Sequence, residues 1–423
     1  MLDRTIAPPI KNIESIILPT PRVVMLDNGI PVHIISMGTQ KVLKLEIVYN
    51  AGRPYEAKRL LSRATAGLLK EGTRSRSSGA MAEEIDFFGG SITSPFSLDS
   101  SCVALHCLTK HFDNLLPLLA EMISEPAFPD KELQTYIDNN KQSLSIELTK
   151  NDVIAYRKIT EFMYGADHAY GYNSEAETYD SLSRNDILQH FEQHYHAGNA
   201  KIIISGLVED VHIALINKHL GQLVRKEASV PNIPVVNVGA AQKIKIQHDD
   251  TIQTAIKIGR RLVTRSHPDY PGLHVLNTVL GGYFGSRLMM NIREDKGYTY
   301  NIYSTVEPMQ YDGYFYIATE VGNDFVASTI EEIYKECASL QQKLVPKKEM
   351  EMLRNYLLGG LLTGIDGAFN VSEIVKPYIS EDLPLSLFDD FVETVKNITS
   401  KELRRLAQVY LNKEDLWEVV VGV

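Results

Sequence analysis

From Val23 onward, short apolar runs bounded by turn residues alternate with stretches whose apolar positions recur every three or four residues. Residues 23–26 and 32–35 read as strands flanking Asp27-Asn28-Gly29, a hairpin-type turn. Residues 42–50 alternate as a third strand, and residues 60–70 place Leu60, Leu61, Ala64 and Leu68 at helical spacing. Residues 91–108 are strand-like and 112–123 helical. Strands paired by hairpins with helices between them predict an antiparallel-rich mixed sheet with helices on one face.

This pattern occurs twice. Leu182-Ser183-Arg184-Asn185-Asp186 opens a helix that leads to the buried strand Ala200–Gly206. Ile398-Thr399-Ser400-Lys401-Glu402 opens another that leads to Trp417–Gly422. The offset is 216 positions from Gly206 to Gly422, and the same from Ile187 to Leu403. Both helices start with a capping-box-like pair, Ser183 with Asp186 and Thr399 with Glu402, and both carry a Tyr near their end, Tyr195 and Tyr410. The expected class is α+β: two homologous domains, each an antiparallel-rich mixed sheet packed with helices. The expected boundaries are 1–228, a linker at 229–242 containing Pro231, Pro234 and Gly239, and 243–423.

The 423 residues are 44% hydrophobic, enough for more than one core, and the net charge of −10 disfavours a nucleic-acid partner. The basic cluster Arg74-Ser75-Arg76 is short and reads as a solvated loop. Three cysteines, Cys102, Cys107 and Cys337, cannot form a fully paired framework, and the first two have opposite strand parity. The first ten residues lack the basic start and apolar core of a secretory signal, and no run reaches the ~18 apolar residues of a membrane span. A cytoplasmic setting with no membrane is expected.

Several phrases in order resemble the insulinase/pitrilysin (inverzincin) family of zinc peptidases across nearly the whole chain. They are Leu26-Asp27-Asn28-Gly29-Ile30-Pro31-Val32, Ala51-Gly52, Lys70-Glu71-Gly72-Thr73, Phe88-Gly89-Gly90 and His168-Ala169-Tyr170-Gly171. Leu280-Gly281-Gly282, Ser286-Arg287-Leu288 and the run from Arg293 to Tyr300 follow. The resemblance implies a two-domain half of a clamshell. Active members carry H-x-x-E-H on the helix after the third strand, two His binding zinc and the Glu activating water. Here that helix reads Arg63-Ala64-Thr65-Ala66-Gly67. Arg63 and Gly67 stand at the ligand positions and Ala66 replaces the Glu. A guanidinium repels a dication and glycine has no donor, so no zinc is expected in this chain. Family spacing puts the third ligand near Ser143, with Glu147 one turn on.

The resemblance assigns the second domain a different part. Active members require an Arg and a Tyr seven apart, which Arg293 and Tyr300 match. The Arg can fork onto a substrate carbonyl or carboxylate, and the Tyr can donate to the developing oxyanion. The competing reading pairs a buried Arg293 with Glu294 or Asp295 and makes Tyr300 a core residue. Gly281-Gly282-Tyr283-Phe284-Gly285-Ser286 is similar in position to the glycine-rich, substrate-handling loop of non-catalytic processing-peptidase subunits; a helix C-cap and tight turn is the alternative. The implied protein is the non-catalytic subunit of a heterodimeric metallopeptidase. Arg293 and Tyr300 would complete the site of a zinc-bearing paralogue acting on peptide or unfolded polypeptide, with a homodimer possible in isolation. The alternatives are a silent structural or peptide-binding scaffold, or an active homodimer with an unusual metal site.

Other signals carry less. His190 and His194 lie at i, i+4 on a helix, a metal-ligand spacing that also suits a solvated polar face. His106 and His111 lack a third donor, and no G-x-S-x-G elbow is present. The tyrosines between 298 and 316 read mostly as core, with one side free for apolar substrate groups.

Overall fold

The computed structural model describes Thr5, Ile13 and residues 15–248 and 251–422; apart from Thr5, the stretch read for a secretory signal lies outside them. The first sheet contains β1 (Arg22–Met25), β2 (Pro31–Ser36), β3 (Val42–Tyr49), β4 (Ser91–Thr93), β5 (Ser101–Leu108) and β6 (Ala200–Gly206). Their order is β1-β2-β6-β3-β5-β4. The second holds β7 (Lys243–Gln247), β8 (Gln253–Leu262), β9 (Ile302–Pro308), β10 (Gly313–Gly322) and β11 (Trp417–Gly422), ordered β7-β11-β8-β10-β9. Apart from β1, the two orders correspond strand for strand. Each sheet has one parallel pair, β2 with β6 and β7 with β11, and is otherwise antiparallel. The duplication read from the 216-residue offset is therefore a duplication of topology.

The helices repeat as well. The first set is α1 (Leu61–Leu68), α2 (Ser78–Phe87), α3 (Phe112–Ser124), α4 (Asp130–Glu147), α5 (Asn151–Tyr164), α6 (Ala176–Asp180), α7 (Arg184–His194) and α8 (Asp210–Leu220). The second is α9 (Tyr270–Leu280), α10 (Val326–Gln342), α11 (Lys347–Gly364), α12 (Ala368–Ser380), α13 (Ser386–Asn397) and α14 (Ser400–Tyr410). Ser183 and Thr399 cap α7 and α14 as their spacing predicts, accepting from the amides of Asp186 and Glu402.

One expectation is overturned. Helices do not stay on one face of each sheet, because the two halves exchange a helix. α5 lies across β8 and β11 of the second sheet, and α12, its counterpart, lies across β2 and β6 of the first. α5 turns Ala155, Ile159 and Met163 onto a core with Ala255, Val419 and Val421. Val371 and Val375 of α12 share a core with Ile35 and Ile203. The central strands are consequently buried on both sides: β3 from Leu43 to Tyr49, and β11 throughout.

The exchange buries charged side chains on the strands it covers. Leu43, Leu45 and Ile47 of β3 point into the helical layer, so Lys44 and Glu46 point the other way, beneath α12. There Glu46 accepts from Ser372 Oγ at 2.5 Å and from Lys376 Nζ at 2.9 Å, and Lys44 Nζ lies 2.9 Å from the same carboxylate. Lys257 of β8 is the mirror case: it is buried under α5 and donates to Asp152 at 2.7 Å. Cys102 shares the Glu46 side and Cys107 the opposite core, so their thiols face apart as strand parity requires. All three cysteines are free and buried, and burial pushes each thiol up to about 12.

Candidate functional site

α1, where the metal motif would lie, is positioned from its N-terminus. Leu60 enters it in the left-handed region (φ 71°). The Glu56 carboxylate then accepts from the Ser62 amide at 2.8 Å and from Ser62 Oγ at 2.5 Å, satisfying an orphan N–H at the positive end of the helix. Burial pushes the Glu56 carboxyl up, against hydrogen bonds from Ser62 and Tyr172 that hold it down. The packing that aims this helix is intact. The chemistry at its exposed positions is not.

Arg63 is exposed, its guanidinium 5.7 Å from the Phe96 ring centroid. Ala66 and Gly67 line a cleft of about 530 Å³ between α1, β4 and α4. A side chain at Gly67 would bring its Cβ within 3.0 Å of the Tyr136 ring, so Tyr136 occupies the room a second ligand would need. From α4 the cleft receives Glu132, Thr135, Tyr136, Asn139 and Asn140. Ser143 and Glu147, where family spacing places the third ligand, are exposed and outside its lining. Among the described residues no group of three or more His, Cys, Asp or Glu is placed to hold a metal ion. Zinc does not fit these residues.

Neither Arg293 nor Tyr300 lines the α1 cleft. Arg293 sits in a π-helical turn, Met289–Asp295, half-exposed, with Nε 3.5 Å from Glu294 Oε1 and its guanidinium 5.0 Å from the Phe284 ring centroid. Tyr300 is 88% exposed and its hydroxyl has no hydrogen-bond partner among the described residues. It borders a cleft of about 290 Å³ with Asp152, Tyr303 and Glu320, which shares no residue with the α1 cleft. Of the competing reading, the Arg293–Glu294 pair is present but half-exposed, and Tyr300 is not a core residue.

The segment from Gly281 to Ser286 closes α9. The amides of Gly281 and Gly282 both donate to Asn277 O at 2.9 Å, and a Cβ on Gly281 would meet Ser304 N at 2.6 Å. Gly281 and Ser286 are buried, Gly285 is half-buried, and Gly282 and Phe284 are exposed. Tyr283 packs on Tyr356 at 4.7 Å between ring centroids. The structure thus joins the loop to Arg293 through Phe284, a contact that spacing along the chain does not show.

His190 and His194 are not on a solvated face. α7 packs its inner stripe against α1, and the i, i+4 spacing puts both rings on that stripe with Ile187 and Phe191. His190 Nε2 donates to Ala51 O at 3.2 Å, and His194 Nδ1 hydrogen-bonds Ser229 Oγ at 2.7 Å. Burial drives His190 down to about 3 and His194 to about 4. Both are neutral when folded, whereas the unfolded chain takes up protons below about pH 6.5. Stability is therefore complete above pH 6.5 and is lost as pH falls towards 4, by about 2 kcal/mol at pH 5 for His190. Urea titrations of the wild type and His190→Gln at pH 7 and pH 5 check this: the variant should show the shallower pH dependence.

Known proteins share this frame. Residues 34–165 match the family model for Insulinase (Peptidase family M16), and residues 181–357 match that for the Peptidase M16 inactive domain. The chain belongs to the insulinase family, M16. It is 24% identical over 344 residues to the uncharacterized zinc protease YmxG of Bacillus subtilis, covering 80% of this chain and 83% of that protein. It is 21% identical over 296 residues to the probable inactive metalloprotease YmfF of the same organism, covering 68% of each. Among solved structures, a Helicobacter pylori protease superposes with a TM-score of 0.89 at 17% identity, over 96% of this chain and 100% of that one. A Pseudomonas fluorescens M16 inactive domain gives 0.85 at 21%, over 95% and 98%. The periplasmic protease PqqL of Escherichia coli gives 0.78 at 15%, over 99% of this chain but only 49% of PqqL. This M16 chain thus has the family fold without the family's metal-binding motif, and a non-catalytic role fits it. No helix among the described residues is long and apolar enough to cross a membrane.

Proposed function

We propose that this chain is the non-catalytic subunit of a two-subunit M16 peptidase, acting in the cytoplasm and presenting Arg293 and Tyr300 to the zinc site of a paralogous partner. One observation carries the reading: α1 has lost every group that does chemistry, while outside its cleft Tyr300 stands exposed and Arg293 half-exposed. An exposed tyrosine hydroxyl held by no group of its own chain is free to donate to an incoming acceptor.

In this reading Arg293 forks onto a substrate carbonyl or carboxylate, held over the ring of Phe284. Tyr300 donates its hydroxyl proton to the oxygen of the scissile carbonyl as that oxygen becomes negative. The loop from Gly281 to Ser286 meets the substrate through Phe284 and the exposed edge at Gly282. Co-expression with a paralogue bearing H-x-x-E-H, followed by size-exclusion chromatography and peptide cleavage, is the test. The pair should co-elute and cleave, and this chain alone should not. Cleavage by this chain alone, with a tightly held metal ion, would overturn the proposal. A silent scaffold is the second reading; it predicts a complex whose turnover ignores Arg293 and Tyr300.

A further inference from the structure

Tyr300 is exposed, but the chain on either side of it is tied down. Pairing of β9 with β10 ends at Ile302, opposite Thr319, so the residues that carry Tyr300 lie beyond the ladder. Two threonine hydroxyls continue where it stops. Thr319 Oγ1 donates to Asn301 O at 2.9 Å, and Thr299 Oγ1 donates to Glu320 O at 2.7 Å. The Asn301 amide donates back to Thr299 Oγ1 at 3.2 Å, and the two hydroxyl oxygens lie 3.0 Å apart. Each hydroxyl has one proton to give, and this assignment uses both. One residue before Thr299, Tyr298 stacks on Phe325 at 4.8 Å between ring centroids, and its amide donates to Ile292 O at 3.0 Å. Tyr300 is thus the free apex of a segment fastened on both sides.

We propose that Thr299 and Thr319 are positioning residues that hold Tyr300 aimed at the developing oxyanion, acting through that tyrosine alone. This rests on the two-subunit reading of Tyr300 and adds what makes the residue effective. A donor accelerates a reaction only if it already points where charge develops, and a displacement of about 1 Å can cost up to ~10²-fold in rate. A phenol on an untethered loop would have to be ordered at every turnover. Here the ordering is done when the protein folds, by hydroxyls where sheet pairing has run out. A core role for Thr319, which is 4% exposed, would not require its hydroxyl to meet both Thr299 and the Asn301 carbonyl. Arg293 is fastened separately: its π-helical turn is tied to α10 through Asn291, which donates to Glu332 at 3.1 Å and to Glu336 at 2.7 Å. Loss of the threonine clamp should therefore appear in kcat and leave KM alone.

Thr319→Val exchanges the hydroxyl for a methyl group and leaves β10 able to pair. In the complex with a zinc-bearing partner it should lower kcat about tenfold with KM unchanged, and Thr319→Ser should restore most of the rate. In a Tyr300→Phe background the same change should have no further effect, because a positioning residue acts only through the group it positions. In the isolated chain, with no partner or turnover involved, hydrogen exchange read by mass spectrometry should quicken about tenfold or more over residues 299–301. Thr299→Val, at a half-buried position, should behave alike and serves if Thr319→Val does not fold. A rate loss that persists undiminished in the Tyr300→Phe background, or exchange unchanged in both valine variants, would overturn the clamp alone. So would full turnover in Thr319→Val where Tyr300→Phe is slow. Full turnover in Tyr300→Phe would overturn the clamp together with the catalytic reading of that tyrosine.

Discussion

Replacing Glu46 by alanine is expected to destabilise the protein by about 3–5 kcal/mol. Its carboxylate is 1% exposed and receives Ser372, Lys376 and Lys44 at once. Without it Lys44, also buried, keeps only Glu373, whose side chain is 55% exposed. A cation would then lie in a nonpolar layer with one screened partner. Glu46→Gln retains an acceptor for Ser372 and should cost less, so the difference between the two variants isolates charge from hydrogen bonding. Equilibrium urea unfolding at pH 7 measures both. A loss below 1 kcal/mol for Glu46→Ala would show that α12 can shift to rehouse Lys44, and that the contact is a weak clasp.

The second large effect is kinetic. In the complex with a zinc-bearing partner, Tyr300→Phe should lower kcat by about 10²-fold, with KM and complex formation little changed. The ring is so exposed that removing its hydroxyl disturbs no internal contact, which makes the variant a clean probe of transition-state hydrogen bonding. Arg293→Lys should instead raise KM, because an ammonium cannot fork onto a carboxylate as the guanidinium over Phe284 can. Unchanged turnover in Tyr300→Phe would remove its catalytic role and leave the scaffold reading.

The duplication was legible because it is written twice in the same chain: capping pairs, buried strand and terminal glycine recur at one offset, and the two sheets have one topology. The helix exchange was not. Periodicity reports which side of an element is apolar but not which partner covers it, so the alternation of β3 does not show that Lys44 and Glu46 lie under α12. His190 and His194 were misplaced for a related reason, since i, i+4 spacing is shared by ligand pairs, polar faces and core stripes alike. The missing donors at Arg63, Ala66 and Gly67 were readable, because an absent side chain needs no coordinates. Tyr136 escaped notice. It lies two turns before Ser143 on the same side of α4, so stepping back along that helix would have found it.

The reciprocal placement of α5 and α12 also bears on how the chain is made. β6 leaves the ribosome well over a hundred residues before the helix that covers it, so for much of synthesis its Ile203 side has no shelter. Contacts so distant in sequence form late and slowly. A nascent chain stalled before α12 would present a sticky apolar sheet to chaperones and proteases, and a nonsense mutation there should produce an aggregate.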